Sequence, residues 1–151
     1  MNNFSMIACA SAIEPLRLAN RMAKLDLFSW QILGVENAEA RCSNGTIVKC
    51  DSDLDYQVHR DDTVLICGGI DIKKNTSQKL INWLRKESRK GINIGGLCTA
   101  SHLLASSGLL NNKKCTIHWE NRDAFSEEFP EHELTSSIYT VDKNRFTAAG
   151  G

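Results

Sequence analysis

The chain has 151 residues, of which 42% are hydrophobic and 24% are charged, which predicts a single domain over residues 1–151 with its own core. Its 18 basic and 18 acidic residues leave no net charge at pH 7, which argues against an electrostatic affinity for nucleic acid. No apolar run approaches the length of a membrane-spanning helix, so we expect no membrane partner.

The first third of the sequence predicts a helix, an extended segment and a hairpin. Residues 5–24 carry an apolar side, although Pro15 predicts that the helix begins near Ser11 or kinks at the proline. Residues 28–35 have a strand-like composition. Residues 40–48 contain an Asn-Gly dipeptide between two short stretches, which is typical of a hairpin turn with positive φ angles.

The middle of the chain alternates apolar strands with helices. Residues 63–67 form a short apolar run, which predicts a parallel strand buried on both faces. Residues 76–90 have apolar side chains at helical spacing and charged residues on the opposite side, which predicts a helix. Residues 92–94 predict the next buried strand, and residues 100–105 predict the helix that follows it.

The last third predicts an extended segment at residues 115–118 and a short helix at residues 119–129 that Pro130 stops. Three short strands are predicted at residues 134–135, 138–141 and 146–147. Strands that alternate with helices and end in glycine-rich turns indicate an α/β fold. We therefore expect a doubly wound, mostly parallel sheet with helices on both faces.

Two glycine pairs are associated with the predicted strands, Gly68-Gly69 and Gly95-Gly96. Ligands of doubly wound sheets bind at the carboxyl ends of the strands, so both pairs are expected to line one crevice. The N–H groups of Gly68 and Gly69 could bind an oxyanion or a carboxylate, although a plain loop would use the same residues.

The most informative position is Cys98, which lies where a predicted strand becomes a helix. Small neighbouring residues allow a sharp turn there that projects one side chain, with the helix N-terminus behind it. Such a position suits a nucleophilic thiol of lowered pKa, or the floor of a binding pocket. The other five cysteines are interpreted as reduced thiols of a cytoplasmic protein, most of them small core residues.

Two histidines are candidate bases for this thiol. His118 could accept its proton, but a histidine that is hydrogen bonded to a backbone carbonyl explains the same residue. His102 lies one helical turn after Cys98 and is the second candidate, with core or surface placement as its alternative. Trp119 could cover a cationic ligand or could simply pack. No cysteine or histidine spacing indicates a metal site, and we expect no cofactor.

Several segments together resemble the ThiJ/PfpI-like superfamily, which has the flavodoxin-like fold of class I glutamine amidotransferases. They are the Gly68-Gly69 pair after a buried strand, the Gly-Leu-Cys-Thr turn at residues 96–99, and Thr-Ile-His-Trp at residues 116–119. Further segments resemble the N-terminal sensor domain of AraC-type transcriptional regulators, in the branch associated with glycine betaine, carnitine and arginine catabolism. These are residues 4–7, 14–20, 43–45, 98–102 and 115–121.

The resemblance implies a cytoplasmic, effector-sensing and dimerisation domain that binds a small nitrogenous metabolite above Cys98. It implies a homodimer, with DNA contact only through a C-terminal helix-turn-helix domain outside this sequence. The ligand-binding set is expected to be Gly68, Gly69, Leu97, Cys98, Thr99, His118, Trp119 and Glu120.

Two alternatives to the sensor remain open. One is a cysteine-dependent enzyme of the ThiJ/PfpI type, an amidase, isocyanide hydratase or glyoxalase-like protein, with Cys98 as nucleophile and His118 as base. The other is a redox-sensing thiol, which requires an exposed Cys98.

Two departures from the family pattern bear on this choice. Enzymes of the superfamily carry an acidic residue on the first helix beside the cysteine. Here that position falls on Ala8, and Glu14 lies about a turn and a half later, which favours sensing over catalysis. Family members also have an apolar strand before residues 4–7 and a helix after Gly151. We therefore expect a chain that is trimmed at both ends relative to the family, with unpaired backbone in its sheet.

Overall fold

The computed structural model describes residues 1–150. The helices are α1 (Met6–Ala23), α2 (Ile72–Asn75), α3 (Gln78–Ser88), α4 (Ala100–Ser106) and α5 (Arg122–Glu128), with a 3₁₀ turn at Trp119–Asn121. The strands are β1 (Glu39–Arg41), β2 (Ile47–Lys49), β3 (Thr63–Cys67), β4 (Asn93–Leu97), β5 (Lys114–Cys115), β6 (Glu133–Leu134), β7 (Tyr139–Asp142) and β8 (Arg145–Ala148).

The main sheet has four strands in the order β3-β4-β8-β7. β3, β4 and β8 are parallel, and β7 is antiparallel to β8. Gly95 of β4 pairs with Leu65 on one side and with Phe146 on the other. The predicted α/β fold with a mostly parallel sheet is confirmed.

The main core is formed by apolar side chains of the sheet and of the helices that follow β3 and β4. Leu84 of α3, Ile94 of β4 and Leu103 of α4 are fully buried in it. α3 begins two residues later than predicted because Ser77 caps it, its Oγ accepting a hydrogen bond from the N–H of Leu80 at 3.3 Å. The one-turn helix α2 was not indicated by the sequence.

The first helix covers nearly the whole predicted span of residues 5–24 but differs from the prediction in where it begins and in its burial. α1 begins at Met6, because Ser5 caps it, and continues through Pro15 to Ala23, so a start near Ser11 is wrong. Only Ala8 of this helix is buried. The apolar side that the sequence indicated is largely in solvent, with Met22 81% exposed.

The prediction that β3 is buried on both faces is also wrong. β3 is one of the two end strands of the sheet, and no strand formed by residues 1–150 pairs with its outer edge. Within β3 only Ile66 is buried, and Leu65 is 38% exposed. The expectation of unpaired backbone in the sheet therefore applies to this strand.

Residues 28–35 do not form the strand that the sequence predicted. A single parallel bridge joins Leu33 to Ser52. The side chain of Asn20 holds the start of this segment, because its amide and carbonyl groups bond both backbone groups of Phe28 at 2.7 and 2.9 Å. A cavity of about 720 Å³ lies between α1, residues 27–33 and β3.

The remaining elements follow the predictions closely. β1 and β2 form the predicted hairpin with Ala40 opposite Val48, and Gly45 adopts a φ of +88° in its turn. The predicted helix at residues 119–129 is divided into the 3₁₀ turn and α5. No helix within residues 1–150 is both long enough and apolar enough to span a bilayer.

Candidate functional site

The sharp turn predicted at Cys98 is present between β4 and α4. Cys98 has a φ of +62°, a left-handed conformation that is strained for a residue with a side chain. Two backbone hydrogen bonds hold it there. The Cys98 N–H donates to the Ala148 carbonyl at 2.9 Å, and the Cys98 carbonyl accepts from the His118 N–H at 3.1 Å. The turn therefore connects the end of the sheet to the segment before the 3₁₀ turn.

The Gly68-Gly69 pair lies directly against this turn. The Thr99 hydroxyl donates a hydrogen bond to the Gly69 carbonyl at 2.7 Å. A Cβ at Gly68 would lie 2.4 Å from the Ala100 nitrogen, and one at Gly69 would lie 2.0 Å from the Asn3 carbonyl oxygen. Glycine is therefore required at both positions for close backbone packing, and the pair adjoins the cysteine as expected.

Gly95 and Gly96 do not line the crevice with them, contrary to the prediction. Both are buried within β4. A Cβ at Gly95 would lie 1.9 Å from the Phe146 ring, and one at Gly96 would lie 3.0 Å from the Leu104 side chain. These two glycines make room for packing on the two faces of the sheet.

The Cys98 thiol is buried, with 8% of the residue exposed. Burial raises its pKa above the ordinary value, since a thiolate is poorly solvated there. The Thr99 N–H has a smaller opposite effect, and the Glu120 carboxylate raises the pKa further. The expected lowering by the helix N-terminus is therefore wrong, because desolvation outweighs it.

His118 adjoins Cys98 through its backbone, while its ring is engaged by the 3₁₀ turn. Its Nδ1 accepts a hydrogen bond from the Glu120 N–H at 3.4 Å and lies 3.8 Å from a Glu120 carboxylate oxygen. The ring lies 5.8 Å from the Trp119 ring, tilted by 31°. Trp119 is 71% exposed, so it forms an open rim beside the cysteine turn rather than part of the core.

His102, the second candidate base, has a structural partner. Its Nε2 lies 3.1 Å from a carboxylate oxygen of Glu128, and its ring packs edge-on against Phe129 at 5.2 Å. Glu128 also forms an ion pair with Lys73. The Lys73 ammonium, followed by His102, holds the pKa of Glu128 below its ordinary value. His102 therefore occupies the core placement that was its alternative explanation.

The first helix supplies no carboxylate to the cysteine turn from the positions considered. Ala8 is buried. Glu14 is exposed and forms an ion pair with Arg17 at 2.6 Å. Within residues 1–150, no group of three or more His, Cys, Asp or Glu side chains has a geometry that could hold a metal ion.

Two cysteines that the sequence assigned to the core have an unexpected arrangement. Hydrogen bonding from the Cys67 thiol lowers the pKa of Cys9 to about 7, and the same contact raises the pKa of Cys67. Both residues are half-buried rather than buried. In the sequence, only the positions of the two cysteines could have indicated that they lie close together. Cys67 directly precedes Gly68, and Cys9 follows the cap Ser5 by four residues.

The sequence matches one protein family and is similar to transcriptional regulators. Residues 8–151 match the DJ-1/PfpI family. The chain is 34% identical over 151 residues to the HTH-type transcriptional regulator GbdR of Pseudomonas aeruginosa, covering 100% of this chain and 41% of that protein. It is 37% identical over 148 residues to the HTH-type transcriptional regulator CdhR of the same organism, covering 98% of this chain and 44% of that protein.

The fold is similar to the crystal structure of an AraC family transcriptional regulator from Pseudomonas putida. The TM-score is 0.83 at 24% identity, and the match covers 99% of this chain and 80% of that chain. Of the two curated regulators GbdR and CdhR, by contrast, the chain spans less than half the length.

Proposed function

This chain belongs to the DJ-1/PfpI family, and we propose that it is the effector-sensing and dimerisation domain of an AraC-type transcriptional regulator. One observation carries the proposal. The similarity to two HTH-type regulators extends over at least 98% of this chain but no more than 44% of either of them. DNA contact would then come from a separate helix-turn-helix domain, and the sensor would act as a homodimer in the cytoplasm.

The chemistry of the cysteine turn supports binding better than catalysis. A nucleophilic thiol needs a thiolate, but burial raises the pKa of Cys98. A base must reach that thiol, but the His118 ring is engaged by Glu120. The floor of a binding pocket needs neither a thiolate nor a base.

The residues around the turn suit a small metabolite with a carboxylate and a cationic nitrogen. The Gly69 N–H has no hydrogen-bond partner within residues 1–150 and offers a donor for the carboxylate. Trp119 and Glu120 are both well exposed, and together they offer an aromatic face and a negative charge to the cation. Leu97, Thr99 and His118 would complete the pocket above Cys98.

Thermal-shift measurements test this proposal directly. Glycine betaine, carnitine and arginine are offered at millimolar concentration, and at least one is expected to raise the melting temperature. Trp119→Ala is expected to weaken that ligand about fivefold, through loss of a cation–π contact of about 1 kcal/mol. Tyr139→Ala is the matched control, because Tyr139 is 66% exposed on β7. If none of the compounds stabilises the protein, this ligand class is excluded.

The strained turn favours a second candidate function, a cysteine-dependent enzyme with Cys98 as nucleophile. A positive φ at the residue between a strand and a helix is the geometry of a nucleophile elbow. Turnover of an amide, an isocyanide or a reactive aldehyde that vanishes in Cys98→Ala would support this function over sensing. The third reading, a redox-sensing Cys98, is disfavoured by the 8% exposure of the residue.

A further inference from the structure

Cys9 of α1 and Cys67 of β3 line the same cavity between these two elements. Three observations place them together: both line the cavity between α1 and β3, both pack against the cluster formed by Phe4, Ala40, Cys42 and Cys50, and each thiol shifts the pKa of the other. These two cysteines were not part of the proposed ligand site.

The backbone explains why these thiols meet. The Ser5 N–H donates to the Gly68 carbonyl at 2.8 Å, which ties the start of α1 to the end of β3. Cys9 follows Ser5 by one helical turn, with a hydrogen bond of 3.1 Å from its N–H to the Ser5 carbonyl. Cys67 immediately precedes Gly68. Both cysteines are therefore fixed relative to the same anchor by short stretches of ordered backbone.

We propose that Cys9 and Cys67 form a thiol–disulfide exchange site that reacts with small-molecule disulfides and closes into an intramolecular disulfide. In the first step the Cys9 thiolate attacks one sulfur of the small disulfide. A mixed disulfide forms, and one small-molecule thiolate leaves. In the second step the Cys67 sulfur displaces the remaining small-molecule thiolate, which takes up the Cys67 proton. The two cysteines are oxidised, and one small disulfide is reduced to two thiols.

The roles of the two cysteines follow from their surroundings. Cys9 is the attacking residue, since the contact between the two thiols lowers the pKa of Cys9 and raises that of Cys67. Cys67 resolves the mixed disulfide because it packs against the same cluster and lines the same cavity as Cys9. The product would join α1 covalently to the end of β3, next to the Gly68-Gly69 turn.

Peptide mapping tests the site without any substitution. Trypsin cleaves after lysine and arginine, so each of the six cysteines lies on a different tryptic peptide. The protein is incubated with oxidised glutathione, free thiols are blocked with N-ethylmaleimide, and the digest is analysed without reduction. The dominant cross-link is expected to join residues 1–17 to residues 61–73, and dithiothreitol is expected to remove it.

Two results would overturn the proposal. One is glutathione retained on Cys9 with no cross-link. The other is a dominant cross-link from residues 61–73 to residues 91–113, which would pair Cys67 with Cys98, a nearby thiol that raises its pKa.

Variants provide an independent readout. Cys9→Ser and Cys67→Ser should each abolish the cross-link, whereas Cys42→Ser and Cys115→Ser should leave it intact. In the wild-type protein, formation of the Cys9–Cys67 disulfide should raise the melting temperature by about 5 °C or more, because this bond closes a long loop. A fully cross-linked protein with an unchanged or lower melting temperature would mean that the native structure does not accommodate the bond.

Discussion

At the scale of single residues, Cys98 is governed by competing effects on one thiol. Its backbone is held in a strained turn, which the small residues around it made predictable. Its ionisation depends on burial, the Thr99 N–H and the Glu120 carboxylate. Burial is set by residues distant in the sequence, so the sequence predicted the position of the thiol but not its raised pKa.

Alkylation of Cys98 with iodoacetamide should therefore be slow near neutral pH, with an apparent pKa above that of an ordinary thiol. Glu120→Gln should speed this reaction about twofold, because Glu120 is 64% exposed and its charge is screened. The rate is measured on the tryptic peptide of residues 91–113. Glu133→Gln is the control, since the Glu133 carboxylate acts on Cys115. Half-maximal reaction below about pH 8 would contradict the raised pKa.

The same shifts make stability depend on pH. Burial raises the pKa of Cys98, and that of Cys115 to about 11, so at high pH the unfolded chain loses these protons before the folded protein does. The free energy of unfolding should be fully retained below pH 9 and should fall as the pH rises from 9 towards 11. Urea titrations across this range measure it. Replacing Cys115 with Ala should flatten the decline, and an equal slope in that variant would argue against this cause.

Hydroxyl groups link β7 and β8 to the residue that follows β5 at a buried point. The Thr147 hydroxyl accepts a hydrogen bond from the Thr116 N–H at 2.8 Å and is bonded to the Thr140 hydroxyl at 2.7 Å. Thr147→Val should therefore cost about 2 kcal/mol, because the Thr116 N–H is left buried without a partner. Urea denaturation measures this loss. Thr46→Val is the matched control, since Thr46 is exposed in the hairpin, and equal effects of both changes would refute the role of the network.

At the scale of secondary structure, α1 shows how tertiary contacts override a local signal. Ser5 is both the cap of this helix and a hydrogen-bond partner of Gly68, so the helix begins before Ser11 despite Pro15. Periodicity was sufficient for α3 and α4, whose apolar residues face the core. It also predicted α1 over nearly its whole length, but not that its apolar side lies largely in solvent. It failed for residues 28–35, whose apolar side chains line the cavity rather than a packed core.

Pro15→Ala should stabilise α1 locally. Proline has no N–H to donate to the Ser11 carbonyl, and alanine restores that hydrogen bond, so the opening free energy of the helix should rise by up to about 3 kcal/mol. Amide hydrogen exchange over residues 6–23 measures the change. Ser11→Ala, an exposed substitution one turn earlier, is the control. Faster exchange in Pro15→Ala would contradict the expectation.

At the scale of the whole molecule, β3 is one of the two end strands of the main sheet, and no strand formed by residues 1–150 pairs with its outer edge. Unpaired strand edges with apolar side chains promote association between chains. This chain should therefore associate as its concentration rises, measured by sedimentation velocity. Leu65→Lys should weaken that association by placing a charge on β3. Met22→Lys, at a position 81% exposed on α1, should have little effect. Equal effects of both lysines would show that net charge, not the β3 edge, is responsible.

Phe4 has a consequence for how binding would be communicated. Its backbone lies between Cys42 and Gly69, and its carbonyl accepts a hydrogen bond from Ser43 at 2.9 Å. A single extended residue, Phe4, spans the distance from the glycine turn to the β1–β2 hairpin. A displacement of that turn would therefore also displace the hairpin. In the proposed sensor, the hairpin would therefore be the element that transmits a change at the glycine turn to a neighbouring domain.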